Sequence, residues 1–248
     1  MNCANDPERS DPLNLSEMKI VTPSPQPPSV SGRGTAFTLV ELLMVISVIG
    51  ILASFTVGLA RVASTRMKES RVRAELTQLV TAIDNYHATL GFYPPDNRDP
   101  NQKTVNSVTN VLYYELVGTT LTNRDKSFVT KNGAEQIDVN TVSAYFRTRG
   151  FANSGRDPKE VKSFLSPREK QIGQISDVPD VDVLVVPVEW ALNKGFDPPL
   201  KALPAKFLKL NPWRYDASST NRHNMKGFDL WAEYVVGKEL KVIGNWKD

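Results

Sequence analysis

The longest apolar run in the chain extends from Leu42 to Ala60 (LLMVISVIGILASFTVGLA) without a charge, and Phe37-Thr38-Leu39-Val40-Glu41 stands at its head. At 1.5 Å per residue this run makes about 28 Å of helix, close to one bilayer core. Helical spacing continues beyond it. Leu76, Leu79, Val80, Ile83, Tyr86 and Leu90 recur at steps of three and four and form one apolar stripe. Arg71, Arg73, Glu75, Gln78 and Asp84 supply its polar faces. The stripe ends at Gly91, and Pro94-Pro95 forbids continuation. One helix from Phe37 to about Leu90 is predicted, roughly 80 Å long. Its first half reads as a membrane anchor and its second as the amphipathic spine of a globular head.

Weaker patterns follow. Ser107 to Leu116 reads as a short helix with Val111, Leu112 and Leu116 inward. Asp157-Pro158-x-Glu160 predicts another helix, with Asp as cap, Pro at the first helical position and Glu completing a capping box; Val161, Phe164 and Leu165 are its apolar positions. Val181 to Val188 (VDVLVVPV) is strand-like, with Pro187 placing its end at an edge or bulge. Near the C-terminus Phe228, Leu230 and Ala232 alternate with Asp229, Trp231 and Glu233, as in a sheet with one face on the spine helix. No internal repeat and no second domain stand out. The expected fold class is α+β, a long N-terminal helix packed on a small antiparallel sheet. The expected parts are 1–36, 37–60, 61–91 and a head over 92–248 with an enlarged middle.

Composition changes this picture little. Forty per cent apolar and 23% charged residues are ordinary globular values, and a net charge of +3 without a block of like charges points away from nucleic acid. Segment Thr22 to Gly32 (TPSPQPPSVSG) is Pro/Ser-rich and reads as extended, disordered chain. Met18 offers an alternative start that leaves a short leader with Lys19 and Arg33 as its only charges. Glu41 is the sharpest feature: a lone carboxylate at the head of a membrane-length helix is costly in hydrocarbon and marks a functional site. Arg61, Arg66, Lys68, Arg71 and Arg73 follow the run, and the positive-inside rule alone would keep the C-terminal domain cytoplasmic. Ordinary signal-peptidase cleavage after Gly58-Leu59-Ala60 is a rival reading; the length of the run and the acid at its head oppose it.

Phe37-Thr38-Leu39-Val40-Glu41 followed by an apolar helix resembles the class III signal of the type IV pilin and pseudopilin superfamily. The resemblance implies cleavage by a prepilin peptidase between Ala36 and Phe37, which removes residues 1–36 as a leader, and methylation of the new amino terminus at Phe37. Ala36 stands where the family usually has Gly, with Gly34 two positions earlier. Glu41 is the family's acid five residues into the mature chain, and it implies subunit registration by pairing with a neighbour's amino terminus. The peptidase works on the cytoplasmic side, so the resemblance places the head in the periplasm, on a single-pass inner-membrane anchor. Partners so implied are the peptidase, further copies in a homo-oligomeric filament, and an inner-membrane assembly platform.

A second likeness lies at the helix end. Tyr86-x4-Gly91-x-Tyr93-Pro94 is similar to the Tyr…Gly-x-Tyr-Pro segment of the major pseudopilin of type II secretion, often called protein G. Asn211-Pro212-Trp213-Arg214-Tyr215, Gly227-Phe228-Asp229-Leu230-Trp231 and Gly244-Asn245-Trp246 resemble its C-terminal segments. The only cysteine, Cys3, lies in the leader, so the mature chain has no disulfide, whereas many type IV pilins close their C-terminal region with one. This favours a type II secretion pseudopilin over a minor pilin of a type IV pilus serving adhesion, motility or DNA uptake.

The family's last loop usually carries several Asp residues that hold calcium. Here Val235-Val236-Gly237-Lys238-Glu239-Leu240-Lys241 has two lysines and one carboxylate, too few oxygens for that ion. Asp177, Asp180 and Asp182 flank Pro179 and read as a solvated turn, so no metal and no cofactor is expected. His87 and His223, the two histidines, come with no metal spacing or nucleophile motif and read as surface residues. Nothing positive supports the third reading, a membrane-anchored periplasmic enzyme.

Overall fold

The computed structural model describes residues 37–99, 104–122, 124, 126–177, 180–190, 210–236 and 239–246, with the backbone alone at 55–61, 176, 177 and 180. The expected leader, including Cys3, Met18 and Ala36, lies outside the described residues, as does Lys238. The chain divides into two units, Met1–Ile51 and Leu52–Asp248. Helix α1 (Leu39–Leu90) contributes residues to both.

Within the second unit Leu76, Leu79, Ile83 and Tyr86 are buried, together with Val72 and Ala82, while Val80 and Leu90 are partly buried against the same core. Fully burying one such aliphatic side chain is worth about 1.5–3 kcal/mol, so this stripe ties α1 firmly to the core around it. Glu75 departs from the expected polar face. It is 8% exposed, and Gln171 Nε2 donates to its Oε1 at 2.9 Å. The helix stops where φ of Gly91 turns to +85°, with the Gly91 N–H donated to the His87 carbonyl at 2.8 Å. That left-handed turn favours glycine.

The rest of the second unit is mixed α+β. Helices α2 (Leu112–Val117) and α3 (Val139–Phe146) accompany strands β1 (Thr119–Thr122), β2 (Ser127–Thr130), β3 (Gln136–Asp138) and β4 (Ser154–Gly155). These strands form a sheet of order β3-β2-β1-β4, antiparallel except for the short β1–β4 pair. Strands β5 (Ile172–Asp177) and β6 (Asp180–Leu184) make a hairpin. The C-terminal sheet is antiparallel, with order β7 (Arg214–Asp216), β8 (Asp229–Val236) and β9 (Glu239–Gly244). Its inner face follows the expected alternation: Phe228, Leu230, Ala232 and Tyr234 are buried.

Two predicted helices are corrected. The segment before Leu112 is not helical, because Asn106 Oδ1 accepts the Val108 and Thr109 N–H groups and Asn110 Oδ1 accepts that of Leu112. Side chains of this type offer the backbone an alternative to helix. The three inward residues of that prediction, Val111, Leu112 and Leu116, are buried nonetheless. Asp157-Pro158-Lys159-Glu160 makes one turn only, closed by Glu160 N–H to the Asp157 carbonyl at 3.0 Å. Beyond it the chain is extended: Asn153 brackets Lys162 with bonds to its N–H and carbonyl, and the Phe164 and Leu165 N–H groups both reach the Leu116 carbonyl. Gly118, at φ +81°, permits that close approach, since a Cβ there would strike Val161 Cγ1 and the Lys162 carbonyl.

One buried carboxylate knits these segments together. Glu115 is 1% exposed and accepts three hydrogen bonds, from Tyr86 Oη of α1 at 2.9 Å and from the Ala152 and Asn153 N–H groups at 2.7 and 2.8 Å. Burial pushes its carboxyl above the ordinary value of 4.5, with the donors from Asn153, Ala152 and Tyr86 opposing the shift. The folded state then holds this proton more firmly than the unfolded chain. Stability from this group therefore rises as pH falls from neutral toward 4.5 and levels off below it. Glu75, raised by burial against the Gln171 bond, adds in the same sense. Glu115→Gln is expected to lose about 1–3 kcal/mol, because its NH2 meets one of the two N–H donors, and to flatten the pH dependence. Urea titrations between about pH 5 and pH 8 check both effects.

Candidate functional site

Phe37 and Thr38 precede α1, and the first helical turn is closed by side chains. Thr38 Oγ1 accepts the Glu41 N–H at 3.2 Å. Glu41 Oε2 in return accepts the Thr38 N–H and the Thr38 hydroxyl, each at 3.0 Å. The Leu42 N–H reaches the Thr38 carbonyl at 3.2 Å. This is a reciprocal capping box, which satisfies donors that the start of a helix otherwise leaves open. The acid also lies where the helix dipole favours negative charge.

Reading Glu41 as a lone acid therefore missed its partner. The signal was present, since Thr-x-x-Glu before an apolar run is the sequence form of a capping box. None of the three bonds uses the whole carboxylate: Oε2 takes both donors and Oε1 takes neither. The tip is open, with Phe37 at 78% exposure. Such a site can receive a cation such as an amine. Ala36, on the other side of the expected cleavage, lies outside the described residues.

Along α1 from Leu39 to Ile51 every large apolar side chain is exposed, none below 48%. Leu39, Val40, Leu42, Leu43, Met44, Val45 and Ile46 are nearly consecutive, so together they surround the helix. Among the described residues no helix is long and apolar enough to cross a membrane. The part of the helix with described side chains ends at Ser54, about 22 Å from Leu39 at 1.5 Å per residue.

The remaining candidates lie in the second unit. His87 stacks on Tyr93, with centroids 4.2 Å apart. His223 is anchored more tightly than a free surface residue: its ring lies 4.0 Å from that of Trp246 at 2°, and its Nδ1 is 3.1 Å from Asp229 Oδ2. Asp229 was expected on a polar face. It is 4% exposed, and its carboxylate also accepts the N–H groups of His223 and Asn224. The hollow beside His223 is lined by Val80, Asp84, Asn224, Met225 and Lys226 among others. A larger hollow of about 770 Å³ beside Arg71, Glu75, Arg168 and Lys170 has mixed charge.

The expected loop over 235–241 is mostly strand. Val235 pairs with Leu240 and Val236 with Glu239 where β8 and β9 run antiparallel. Asp182 belongs to β6 and is buried, so it is not part of a solvated turn. Among the described residues no group of three or more His, Cys, Asp or Glu is placed to hold a metal ion. The purified protein is expected to melt at the same temperature with calcium as with a chelator, measured by differential scanning fluorimetry.

No family model matches the chain, and neither a curated protein nor a solved structure matches it.

Proposed function

We propose that this protein is a non-enzymatic, pilin-like subunit, cut between Ala36 and Phe37, methylated at Phe37 and assembled into a helical filament. Before assembly it is held in the inner membrane by α1 with its head in the periplasm. The observation that carries the reading is the all-round apolar, exposed helix that begins immediately after Phe37-Thr38. Such a surface is stable only in lipid or among other helices. A pilin-like subunit uses both environments in turn: lipid while stored and a bundle of equivalent helices once assembled.

The same helix supplies the stripe that anchors the head. Tyr86, Tyr93, Trp213, Tyr215 and Phe228, all from segments similar to protein G, support the finer reading as a type II secretion pseudopilin. Tyr93 lies 5.2 Å from Phe228 and Tyr215 lies 5.8 Å from it, while Tyr215 Oη donates to the Pro94 carbonyl at 2.7 Å. Glu41 registers subunits by pairing with a neighbour's amino terminus, which turns a costly charge into a specific contact.

Mass spectrometry of the mature protein tests the reading directly. A chain that begins with N-methylated Phe37 is expected; an intact leader or a start at Arg61 would overturn it. Glu41→Ala should insert into the membrane normally yet assemble or methylate poorly, scored by filament fractionation and by the same mass spectra. Deletion of the gene is expected to trap exported proteins in the periplasm while surface pili persist. Loss of pili or of DNA uptake with normal secretion would assign the subunit to a type IV pilus instead.

A further inference from the structure

Within the second unit the exposed cations near the start of the spine gather on one side of α1. Lys68 and Arg71 stand three residues apart and share a helix face. Both are exposed, and among the described residues neither has an ion pair or a side-chain hydrogen bond. Arg71 also lines the hollow of about 770 Å³, together with Arg168 and Lys170, which are exposed beside the short 3-10 turn Glu169–Gln171. Two carboxylates share that wall, Glu169 and Glu75. Burial pushes the Glu75 carboxyl above its ordinary value, which weakens its opposition to an anion. Arg66 and Arg73 lie on the far side of the helix, where Glu69 pairs with Arg73 at 2.9 Å.

We propose that Lys68, Arg71, Arg168 and Lys170 form a docking face for anionic phospholipid headgroups, which tips the head of the stored subunit toward the membrane on the side of the hollow. The inference rests on the membrane reading above. The occupant follows from position and direction. Side chains on a helix lean toward its N-terminus, here toward the apolar run. Lys68 and Arg71 follow Ala60 by about 12 and 17 Å of helix at 1.5 Å per residue. The polar layer of a bilayer is about 5–8 Å deep on each side, and the long stems carry both charges back toward it. Attraction to anionic headgroups reaches about 8 Å beyond that layer at physiological salt. A membrane helix tilts by about 20° on average, and a tilt toward the hollow lowers Arg168 and Lys170 together with Arg71.

The full-length chain in neutral detergent micelles is titrated with phosphatidylglycerol or phosphatidylcholine, and bound lipid is counted by native mass spectrometry. Phosphatidylglycerol is expected to bind more tightly, with a preference that falls as salt rises. Arg71→Gln and Lys170→Gln are each expected to weaken its binding about five-fold, the equivalent of about 1 kcal/mol, at an unchanged melting temperature. Arg73→Gln removes the same charge from the far side and is expected to leave the affinity as it was. In nanodiscs, amide exchange at residues 168–171 is expected to slow when phosphatidylglycerol is present. Equal affinity for the two lipids, or an equal loss in Arg73→Gln, would overturn the proposal. So would protection of 168–171 that appears only in assembled filaments, which would give this face to a protein partner. A chain that does not insert into nanodiscs overturns the membrane reading as well, whereas an inserted chain indifferent to headgroup charge overturns this inference alone.

Discussion

A carboxylate buried in the head sets the terms for everything packed around it. Glu115 accepts donors from residues 29, 37 and 38 positions away, one on α1 and two on the chain entering β4. Taking an ionised carboxylate out of water costs several kcal/mol, and only well-aimed partners repay it. Those partners must therefore be held still. Gly118 allows the extended segment 161–165 to close over α2, and Asn153 bonds to the Glu115 and Lys162 carbonyls, so the shell is rigid on several sides. The Tyr86 hydroxyl carries that rigidity to α1, whose stripe then packs at a defined rotation.

The remaining ties follow the same logic of buried polar groups satisfied at long range. Asn97 Nδ2 donates to the Thr109 and Tyr145 carbonyls, and Asn110 Nδ2 to that of Trp213. Tyr215 donates its N–H to the Ser107 carbonyl, which covers one edge of the C-terminal sheet with the middle region. Val186 and Asn211 bond across the segment between them. The middle region is thus joined by hydrogen bonds to both α1 and the last strands. Aromatic rings fill the space between: Tyr86 contacts Phe92 and Phe164, and Tyr114 stacks on Phe151.

At the other end of α1 the physics is reversed. There, among the described residues, the large apolar side chains from Leu39 to Ile51 are exposed, and Thr38 and Glu41 bond to each other within the first turn. Thr38 and Glu41 satisfy each other, so a charge at the head of an apolar helix is not an isolated defect. Both donors of Thr38 go to one carboxylate oxygen, Oε2.

Sequence alone determined the features governed by local periodicity and backbone chemistry. The stripe from Leu76 to Tyr86 and the alternation of Phe228, Leu230 and Ala232 were legible because helices repeat every 3.6 residues and strands every two, and the stop at Gly91 because glycine tolerates the left-handed turn. The apolar run and the pentapeptide at 37–41 were equally plain, and the capping box was written there as Thr-x-x-Glu. Tertiary structure decided what periodicity does not encode. Asn106, Asn110 and Asn153 overrode helix at 107–111 and 161–165 by bonding to backbone that a pattern of apolar positions ignores. Glu75, Glu115 and Asp229 look like surface acids in the sequence and are buried in the fold. Their burial depends on donors supplied by distant segments, and no local pattern reports whether such a donor will arrive.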